Sequence, residues 1–417
     1  MSHAESVPEL IAFAVVLFVF GLVSKRIDGL PVTAPIVFVG AGLLAGWLGV
    51  VDLGFEAHGA GESAEIGTET ARTIAEIALV LLLFTDAARV DLGALRGRVS
   101  LPGRLLGVGL PLTIALGGLL AAVLFDGELS VAEAFVLGAI LAPTDAALGA
   151  VVVNSPRLPV RVREALNVEA GLNDGLAVPF FTVFAALAAD QLLGVGDFLG
   201  VALEKIGYGV GVGVVVGVGG GWLLRECTRR GWMTSIHQQL ALISLALVAW
   251  WIAEHVGGSG LIAAFVGGLA VGAVDRGVGE KVIDFTEDMG QFLSLLVLFA
   301  FGVVASGVLD QVTATMVFYA VLSLTVLRML PVAIALIGTG TTPATTLFVG
   351  WFGPRGLASV LLVLILITEQ EGLPGIEPTF LIVTVTVLLS VLLHGTTAAP
   401  LTARFAERTE QAPESAP

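Results

Sequence analysis

The chain has 417 residues, of which 56% are hydrophobic and only 13% are charged, and its mean hydropathy is +0.97. Soluble domains are about 45–50% apolar and about 25% charged, so this composition excludes a soluble globular enzyme and a disordered chain. The net charge of −15 argues against a nucleic-acid partner. The single cysteine, Cys227, excludes a disulfide scaffold and a cysteine-based metal site. An integral membrane protein remains.

The apolar residues form segments of the length that a membrane-spanning helix needs, about 20 residues. Thirteen such segments follow one another along the chain. They predict an all-α integral membrane protein with about 13 transmembrane helices. In chain order, the predicted spans lie near 7–24, 31–50, 73–92, 103–125, 131–153, 160–188, 197–223, 234–254, 258–274, 289–308, 314–337, 343–368 and 377–400.

Basic and acidic residues alternate between successive loops. Basic residues follow the odd-numbered spans, and acidic residues follow the even-numbered ones. Because cytoplasmic loops retain Lys and Arg, the pattern predicts a cell-membrane protein with its N-terminus outside and its C-terminus in the cytoplasm. An odd number of spans places the two termini on opposite sides of the membrane, which agrees with this arrangement. The basic residues include Lys25, Arg26, Arg104, Arg157, Arg161, Arg225, Arg229, Arg230, Arg404 and Arg408, and the acidic ones include Asp126, Glu128, Asp190 and Asp310.

Five charged residues lie near the middle of predicted spans, where a charge is costly and usually functional. They are Asp145 in span 5, Glu169 and Asp174 in span 6, Arg328 in span 11 and Arg355 in span 12. Three acids and two bases sum to −1, so pairing each arginine with a carboxylate leaves one carboxylate over. A carboxylate at the bilayer centre must take up a proton or a cation. Competition between the two at one site is the minimal logic of cation/proton exchange.

Two spans are interrupted by proline and glycine, span 5 at Pro143 and span 12 at residues 353–356. Spans 5 and 12 are seven apart, as are spans 6 and 13. This spacing predicts two inverted six-helix repeats, 1–6 and 8–13, with span 7 as the linker. Broken helices at corresponding positions of two repeats mark the binding site of a secondary transporter. Their half-helix ends are expected to face each other there, with Asp145 and Arg355 neutralising the dipole ends.

The central residues and their order resemble the monovalent cation/proton antiporter superfamily, in its electroneutral, NhaP-like sodium/proton branch. The resemblance covers nearly the whole chain, and the joint placement of the motifs in spans 5, 6, 11 and 12 is far more specific than any one motif. The residues that carry it are Pro143, Thr144 and Asp145, then Glu169, Asn173 and Asp174, then Arg328 and Pro331, and finally Gly353, Pro354, Arg355 and Gly356.

The resemblance implies a secondary antiporter that exchanges Na⁺, or Li⁺, for H⁺ and needs no cofactor. It implies that Asp174 binds the cation and the proton in turn, and that Glu169 and the backbone of Thr144 help to hold the Na⁺. Asp145 is implied to act through water. The electrogenic branch carries a second Asp where Asn173 stands, so one-for-one, electroneutral exchange is implied.

Two further implications concern the charge partners and one departure from the pattern. Arg328 is implied to pair with Glu169, and Arg355 with Asp145. Related members often carry Ser after the Glu, whereas this chain has Ala170. A coordinating hydroxyl is therefore missing at that position, which puts ion affinity or selectivity in question.

The resemblance also implies a homodimer with an elevator movement between two domains. The interface domain comprises helices 1–3 in residues 1–102 and helices 8–10, with linker helix 7, in residues 190–308. The transport domain comprises helices 4–6 in residues 103–189 and helices 11–13 in residues 309–400. Residues 401–417 are acidic and are predicted to form a short disordered cytoplasmic tail.

Other functions stay open at this point. A K⁺/H⁺ antiporter on the same scaffold is a near alternative, and an ion-coupled solute carrier is a distant one. An intramembrane aspartyl protease would need two facing Asp residues, one of them in a Gly-x-Gly-Asp setting, whereas Asp174 follows Asn173. A P-loop and a nucleotide-binding domain are absent, so a primary pump is excluded and no nucleotide is expected as a partner.

Overall fold

A computed structural model of the chain consists of α-helices joined by short loops. It describes residues 7–27, 32–51, 62–90, 100–145, 148–149, 152, 155–193, 198–274, 280–369 and 372–411. Within these residues, extended pairing is limited to one isolated bridge between Asp126 and Leu129. The all-α prediction is confirmed.

A helix lies in each of the predicted spans, and four of the spans are irregular or interrupted. The helices are α1, Val7–Ile27; α2, Ala34–Trp47; α3, Glu62–Arg89; α4, Ser100–Arg104 and Leu110–Leu124 joined by a π-helical turn at Leu105–Gly109; α5, Val131–Ile140; α6, Val160–Leu193; α7, Phe198–Arg229; α8, Ser235–His255; α9, Gly260–Val274; α10, Glu280–Ser306; α11, Ala314–Leu324 and Val326–Ala335; α12, Pro343–Trp351 and Leu357–Glu369; and α13, Ile376–Gln411.

Seven of the described helices are long and apolar enough to cross a membrane, judged by length and composition. Four shorter apolar helices accompany them: Ala34–Trp47, Val131–Ile140, Gly260–Val274 and Leu357–Thr368. Two of these four are short because they are parts of interrupted spans. The chain is therefore a multi-pass membrane protein, and the number of thirteen crossings stays a prediction.

The C-terminal segment differs from the prediction of a disordered tail beginning at residue 401. Helix α13 continues through Pro400 to Gln411. Phe405 is buried and stacks on Phe348 of α12, with ring centroids 4.2 Å apart, and this contact keeps the segment ordered. Residues 412–417 lie outside the described part of the chain.

The helices pack in two groups. In the first, α2 packs on α10, and α3, α7 and α8 each pack on α9. In the second, α5 lies between α4 and α6, and α11 packs on α12 and α13. The groups meet where α6 contacts α3 and α7 and where the second half of α12 contacts α3. The division of the chain into an interface domain and a transport domain stays a prediction.

Backbone contact between α2 and α10 shows how closely the helices of the first group approach. A Cβ atom at Gly42 would overlap the carbonyl of Phe299, and one at Gly302 would overlap the carbonyl of Val39. Small residues permit such approach between helices in lipid, where dispersion contacts replace the hydrophobic effect as the source of association. The two glycines therefore set the distance between these helices.

The second group is held together at one end by the carboxylate of Glu133. Glu133 forms a capping box with Ser130 at the start of α5, in which its Oε2 accepts the Ser130 N–H at 2.8 Å. Its Oε1 accepts the N–H of Gly375 at 2.8 Å, directly before α13. One buried carboxylate thus fixes the beginnings of two helices, where negative charge is favoured.

Candidate functional site

The two interrupted helices cross at their breaks. The chain leaves helical geometry between Ile140 and Asp145, and again over residues 352–356. The N–H of Asp145 donates to the carbonyl of Pro354 at 2.8 Å, so the two non-helical segments contact each other through their backbones. Proline lacks an N–H and clashes with the preceding helical turn, which explains why the helices stop here. The predicted crossing of broken helices is confirmed.

The carboxylate of Asp145 binds the N-termini of two half-helices. Its Oδ1 accepts the N–H of Leu148 at 3.2 Å, and its Oδ2 accepts the N–H of Leu357, where the second half of α12 begins, at 2.9 Å. A Cβ atom at Gly356 would overlap this carboxylate. Glycine at that position is therefore what allows Asp145 to reach the second helix.

Arg355 donates hydrogen bonds to backbone carbonyls at the C-terminal end of α5. Its Nη1 donates to the carbonyls of Ala142 at 2.6 Å and Pro143 at 2.8 Å, directly after α5. The residue is fully buried. Asp145 and Arg355 each face helix ends of the opposite sign, which is the arrangement that the helix dipoles favour.

Glu169 and Arg328 form a buried ion pair between α6 and α11. Arg328 Nη1 lies 2.6 Å from Glu169 Oε1, and each side chain is only 3% exposed. Helix α11 is interrupted at Thr325, and Arg328 lies in the first turn of its second part. Removal of either partner would leave a buried charge unpaired, which is costly.

Asn173 and Asp174 follow on α6 and have different surroundings. The Nδ2 of Asn173 donates to the hydroxyl of Thr144, and both side chains are buried. The Oδ1 of Asp174 is buried and has no hydrogen-bond partner among the described residues. The charged groups that act on Asp174 electrostatically are Asp86, Asp145 and Arg355. Asp174 is thus the central carboxylate with an unsatisfied oxygen.

A cavity lies beside the crossing and extends along the first turns of α6. Asp174 does not line it, since Asp174 lies about 6 Å beyond Ala170 along the helix axis. Within the described residues, no three carboxylate, imidazole or thiol groups are close enough to hold a metal ion, so the central acids do not converge on one point in this conformation. The lining residues are Thr144, Asp145, Gly149, Val152, Leu166, Glu169, Ala170, Phe352 and Pro354.

The structure adds residues to this region that the sequence did not indicate. A Cβ atom built at Gly171 would lie 3.5 Å from the Cβ of Asp86, so Asp86 of α3 faces α6 one turn from Asp174. Ser390 and His394 of α13 bind the backbone of the α12 break. Asp86, near the inner end of its predicted span, is typical of an interfacial residue, and His394 is typical of a packed histidine, so the sequence alone assigned neither to the site. Ser390 is of a type common in buried helices.

A family model described as "Sodium/hydrogen exchanger, transmembrane" matches residues 13–404. The chain belongs to the sodium/hydrogen exchanger family. Members of this family are transport proteins and not enzymes, in agreement with the prediction from the central charges.

Characterised relatives of this exchanger family carry the names of antiporters for two different cations. The K⁺/H⁺ antiporter NhaP2 of Shewanella sp. (strain ANA-3) is 27% identical over 397 residues, which cover 91% of this chain and 64% of the relative. The Na⁺/H⁺ antiporter ApNhaP of Aphanothece halophytica is 28% identical over 290 residues, covering 64% of this chain and 53% of the relative. The chain spans less than two thirds of the length of these relatives.

A solved structure shares the fold of this exchanger. The sodium proton antiporter MjNhaP1 of Methanocaldococcus jannaschii superposes with a TM-score of 0.75 and 21% sequence identity, covering 96% of this chain and 99% of that one. The likeness extends over nearly the whole length of both chains. It establishes that this chain has the fold of that antiporter.

Proposed function

We propose that the chain is a secondary antiporter that exchanges a monovalent cation, Na⁺ or Li⁺, for H⁺ across a cell membrane. The observation that carries the proposal is the set of partners that the five central charged residues have. Glu169 and Arg328 neutralise each other. Asp145 and Arg355 are bound to helix ends of opposite sign. Asp174 keeps a buried oxygen without a hydrogen-bond partner among the described residues, so it requires a proton or a cation.

Exchange follows from competition for Asp174. A proton and a cation neutralise the same carboxylate, so the binding of one displaces the other. Asn173, the neighbour of Asp174, is neutral, so one cation replaces one proton and the cycle moves no net charge. The transported ions are substrates, and no cofactor takes part.

Glu169 and Thr144 complete the cation site in this proposal. Both line the cavity beside the crossing, whereas Asp174 lies about one helical turn beyond it. Asp145 also lines the cavity but is engaged by two backbone N–H groups, so it contributes to the site through water. Cation binding therefore requires Asp174 and the cavity to come closer together than in this conformation.

Alternating access is proposed to arise from an elevator movement of the second helix group, α4–α6 and α11–α13, past the first group. The central charges all lie on the second group, so the site would move as one body. The first group would form the contact of a homodimer. The alternation of loop charges supports an N-terminus outside and a C-terminus in the cytoplasm of the plasma membrane.

The Asp174→Asn variant in liposomes tests this function. We expect the unaltered protein to move protons when a gradient of Na⁺, Li⁺ or K⁺ is applied, as reported by a pH-sensitive dye. Asp174→Asn is expected to abolish the movement while the thermal unfolding temperature is kept. Asp310→Asn, in an exposed turn, is the matched control and should transport normally. Cation-driven proton movement by Asp174→Asn would contradict the proposal.

A K⁺/H⁺ exchanger is the second candidate, and Ala170 is the feature that favours it. Ala170 places a methyl group in the cavity beside Glu169, where a hydroxyl would supply another oxygen ligand. Fewer oxygen ligands favour a cation that is more easily dehydrated. The Shewanella relative is named a K⁺/H⁺ antiporter, which agrees with this candidate.

The Ala170→Ser variant separates the two candidates. If the absent hydroxyl sets the preference, Ala170→Ser should lower the apparent KM for Na⁺ relative to K⁺ by about threefold to tenfold, the effect of one hydrogen-bond-strength contact. Ala177→Ser adds a hydroxyl on the same buried helix away from the cavity and serves as the control. Equal changes for both cations would show that Ala170 does not set the preference.

A further inference from the structure

A chain of hydrogen bonds on α13 joins the two sides of the break in α12. The backbone N–H of Arg355 donates to Ser390 Oγ at 2.5 Å, and Ser390 Oγ lies 3.2 Å from His394 Nδ1. At the other end, His394 Nε2 lies 3.0 Å from the carbonyl oxygen of Trp351, the last residue of the first half of α12. Both side chains on α13 are buried, with 1% exposure or less.

The direction of each bond follows from the groups that can donate. The Trp351 carbonyl can only accept, so His394 Nε2 carries the proton. The Arg355 N–H can only donate, so Ser390 Oγ accepts there with a lone pair. Nδ1 faces two groups: the hydroxyl of Ser390, which can donate to it, and the carbonyl of Ser390 at 3.1 Å, which accepts from it when it carries a proton. The bridge therefore forms with the imidazole neutral or protonated, because Nε2 carries the proton to Trp351 in both forms.

This bridge holds the segment that contributes to the crossing. Between its anchor points at Trp351 and Arg355 lies Pro354, whose carbonyl accepts the N–H of Asp145. The same Arg355 directs its guanidinium to the carbonyls that follow α5. A second contact fixes the first anchor, because Trp351 Nε1 donates to Thr397 Oγ1 of α13 at 3.0 Å.

We infer that His394, acting through Ser390, is a positioning residue for cation binding, because it fixes the α12 break against the α5 break. His394 lines no part of the cavity and touches none of the proposed cation ligands. Its role is to hold the backbone on which Pro354 and Arg355 lie. The transport measurement of this role rests on the proposed cation/proton exchange, whereas the structural measurement of the bridge does not.

Loss of the bridge is expected to weaken cation binding rather than turnover. When a group that positions the ligands of an ion without touching the ion is removed, the affinity for the ion typically falls by about tenfold to 100-fold. His394→Ala should therefore raise the apparent KM for the transported cation by about tenfold and leave the maximal rate close to that of the unaltered protein. His394→Gln keeps a donor near the position of Nε2 and should recover most of the affinity.

Ser390→Ala removes one hydroxyl and keeps the volume of the core, so it carries the test if His394→Ala does not fold. It should raise the KM in the same direction, and the double variant should be less impaired than the sum of the two. Thr386→Val is the matched control, because Thr386 is also buried on α13 but its hydroxyl binds only the carbonyl of Ile382 in its own helix.

Hydrogen–deuterium exchange measures the same effect without transport. His394→Ala and Ser390→Ala should accelerate exchange in peptides that contain residues 352–357 and 144–145, whereas Thr386→Val should not. An unaltered exchange rate at these breaks would overturn the inference even if transport is confirmed. The inference would also be overturned if the KM of His394→Ala and Ser390→Ala were unchanged, or if their maximal rate fell in proportion to the fraction of unfolded protein. It would be overturned as well if His394→Gln were as impaired as His394→Ala. A failure of the proposed function itself would appear separately, as absence of exchange in the unaltered protein.

Discussion

Asp145 accepts hydrogen bonds from the first turns of two helices that are more than 200 residues apart in the sequence, Leu148 and Leu357. A single carboxylate therefore replaces two separate N-caps. Oδ1 accepts the N–H of Leu148 in the same chain segment, and Oδ2 accepts the N–H of Leu357 in α12. These two backbone N–H groups stabilise the charge of Asp145 at the centre of the membrane.

Asp145→Ala should lower the stability of the protein, because both helix N-termini lose their acceptor. Loss of an N-cap costs about 0.5–2 kcal/mol, so we expect a decrease of about 1–4 kcal/mol in the free energy of unfolding. Asp145→Asn keeps one acceptor oxygen and should lose less. Thermal unfolding in detergent, with exposed Asp310→Ala as the control, measures the difference. Equal stability of Asp145→Ala and the unaltered protein would show that the caps contribute nothing.

Helices α6 and α11, which belong to different predicted repeats, are joined by the Glu169–Arg328 ion pair. The pair is almost fully excluded from solvent, so its partners depend on each other far more than surface charges do. The interruption of α11 at Thr325 precedes Arg328 by three residues and sets the direction in which α11 continues. The break in α11 thus helps to place Arg328 where it can pair with Glu169 of α6.

Removal of Arg328 alone should be worse than removal of both partners. Arg328→Ala leaves the Glu169 carboxylate buried and unpaired, which costs about 3–5 kcal/mol. The double variant Glu169→Gln/Arg328→Ala should recover part of this loss in thermal unfolding. Arg230→Ala is the control, because Arg230 pairs with Glu226 at the surface and its removal should change stability little. Additive effects of the two central substitutions would exclude the coupling.

Much of this element arrangement was predictable from the sequence, and the exceptions have physical reasons. Pro143 and Pro354 predicted both breaks, since proline cannot continue a helix. That Asp145 would face a helix end was expected from the helix dipoles, but its contact with Leu357 was not predictable, because only tertiary packing brings that N–H close. The helical end of α13 was missed for a similar reason, since Phe405 is ordered by Phe348, a residue of another helix.

At the scale of the whole molecule, the two helix groups meet where α6 contacts α3, α7 and α9 and where the second half of α12 contacts α3. Helix α6 meets α3 where Gly171 faces Asp86, and the absence of a side chain at Gly171 leaves room for the Asp86 side chain. Within the first group, Arg89 of α3 binds Asp284 and Glu287 of α10 at 2.8 and 2.5 Å. The boundary between the two groups is the place where movement is proposed.

A disulfide across that boundary should stop exchange. Asp86 and a Cβ at Gly171 are 3.5 Å apart, within the Cβ–Cβ range of about 3.5–4.5 Å for disulfides. Asp86→Cys/Gly171→Cys, in a Cys227→Ser background, should lose transport on oxidation and regain it on reduction, relative to the single Asp86→Cys variant. Gly109→Cys/Ala335→Cys, with a distance of 3.7 Å inside one group, is the matched control and should stay active when oxidised. Full activity of the oxidised boundary variant would contradict the elevator movement.

The hydrogen bond between Asp145 and Leu357 also has a consequence for the synthesis and membrane insertion of the protein. The two residues are separated by 212 positions, so the carboxylate cannot bind α12 until most of the chain has been synthesised and inserted. Until then, the break after α5 and the charges near it lie in the membrane without their partners. Arg355 completes the same contact from the other side. A nascent chain that stops before α12 would therefore expose an incompletely paired polar centre to the bilayer, where unsatisfied polar groups are costly.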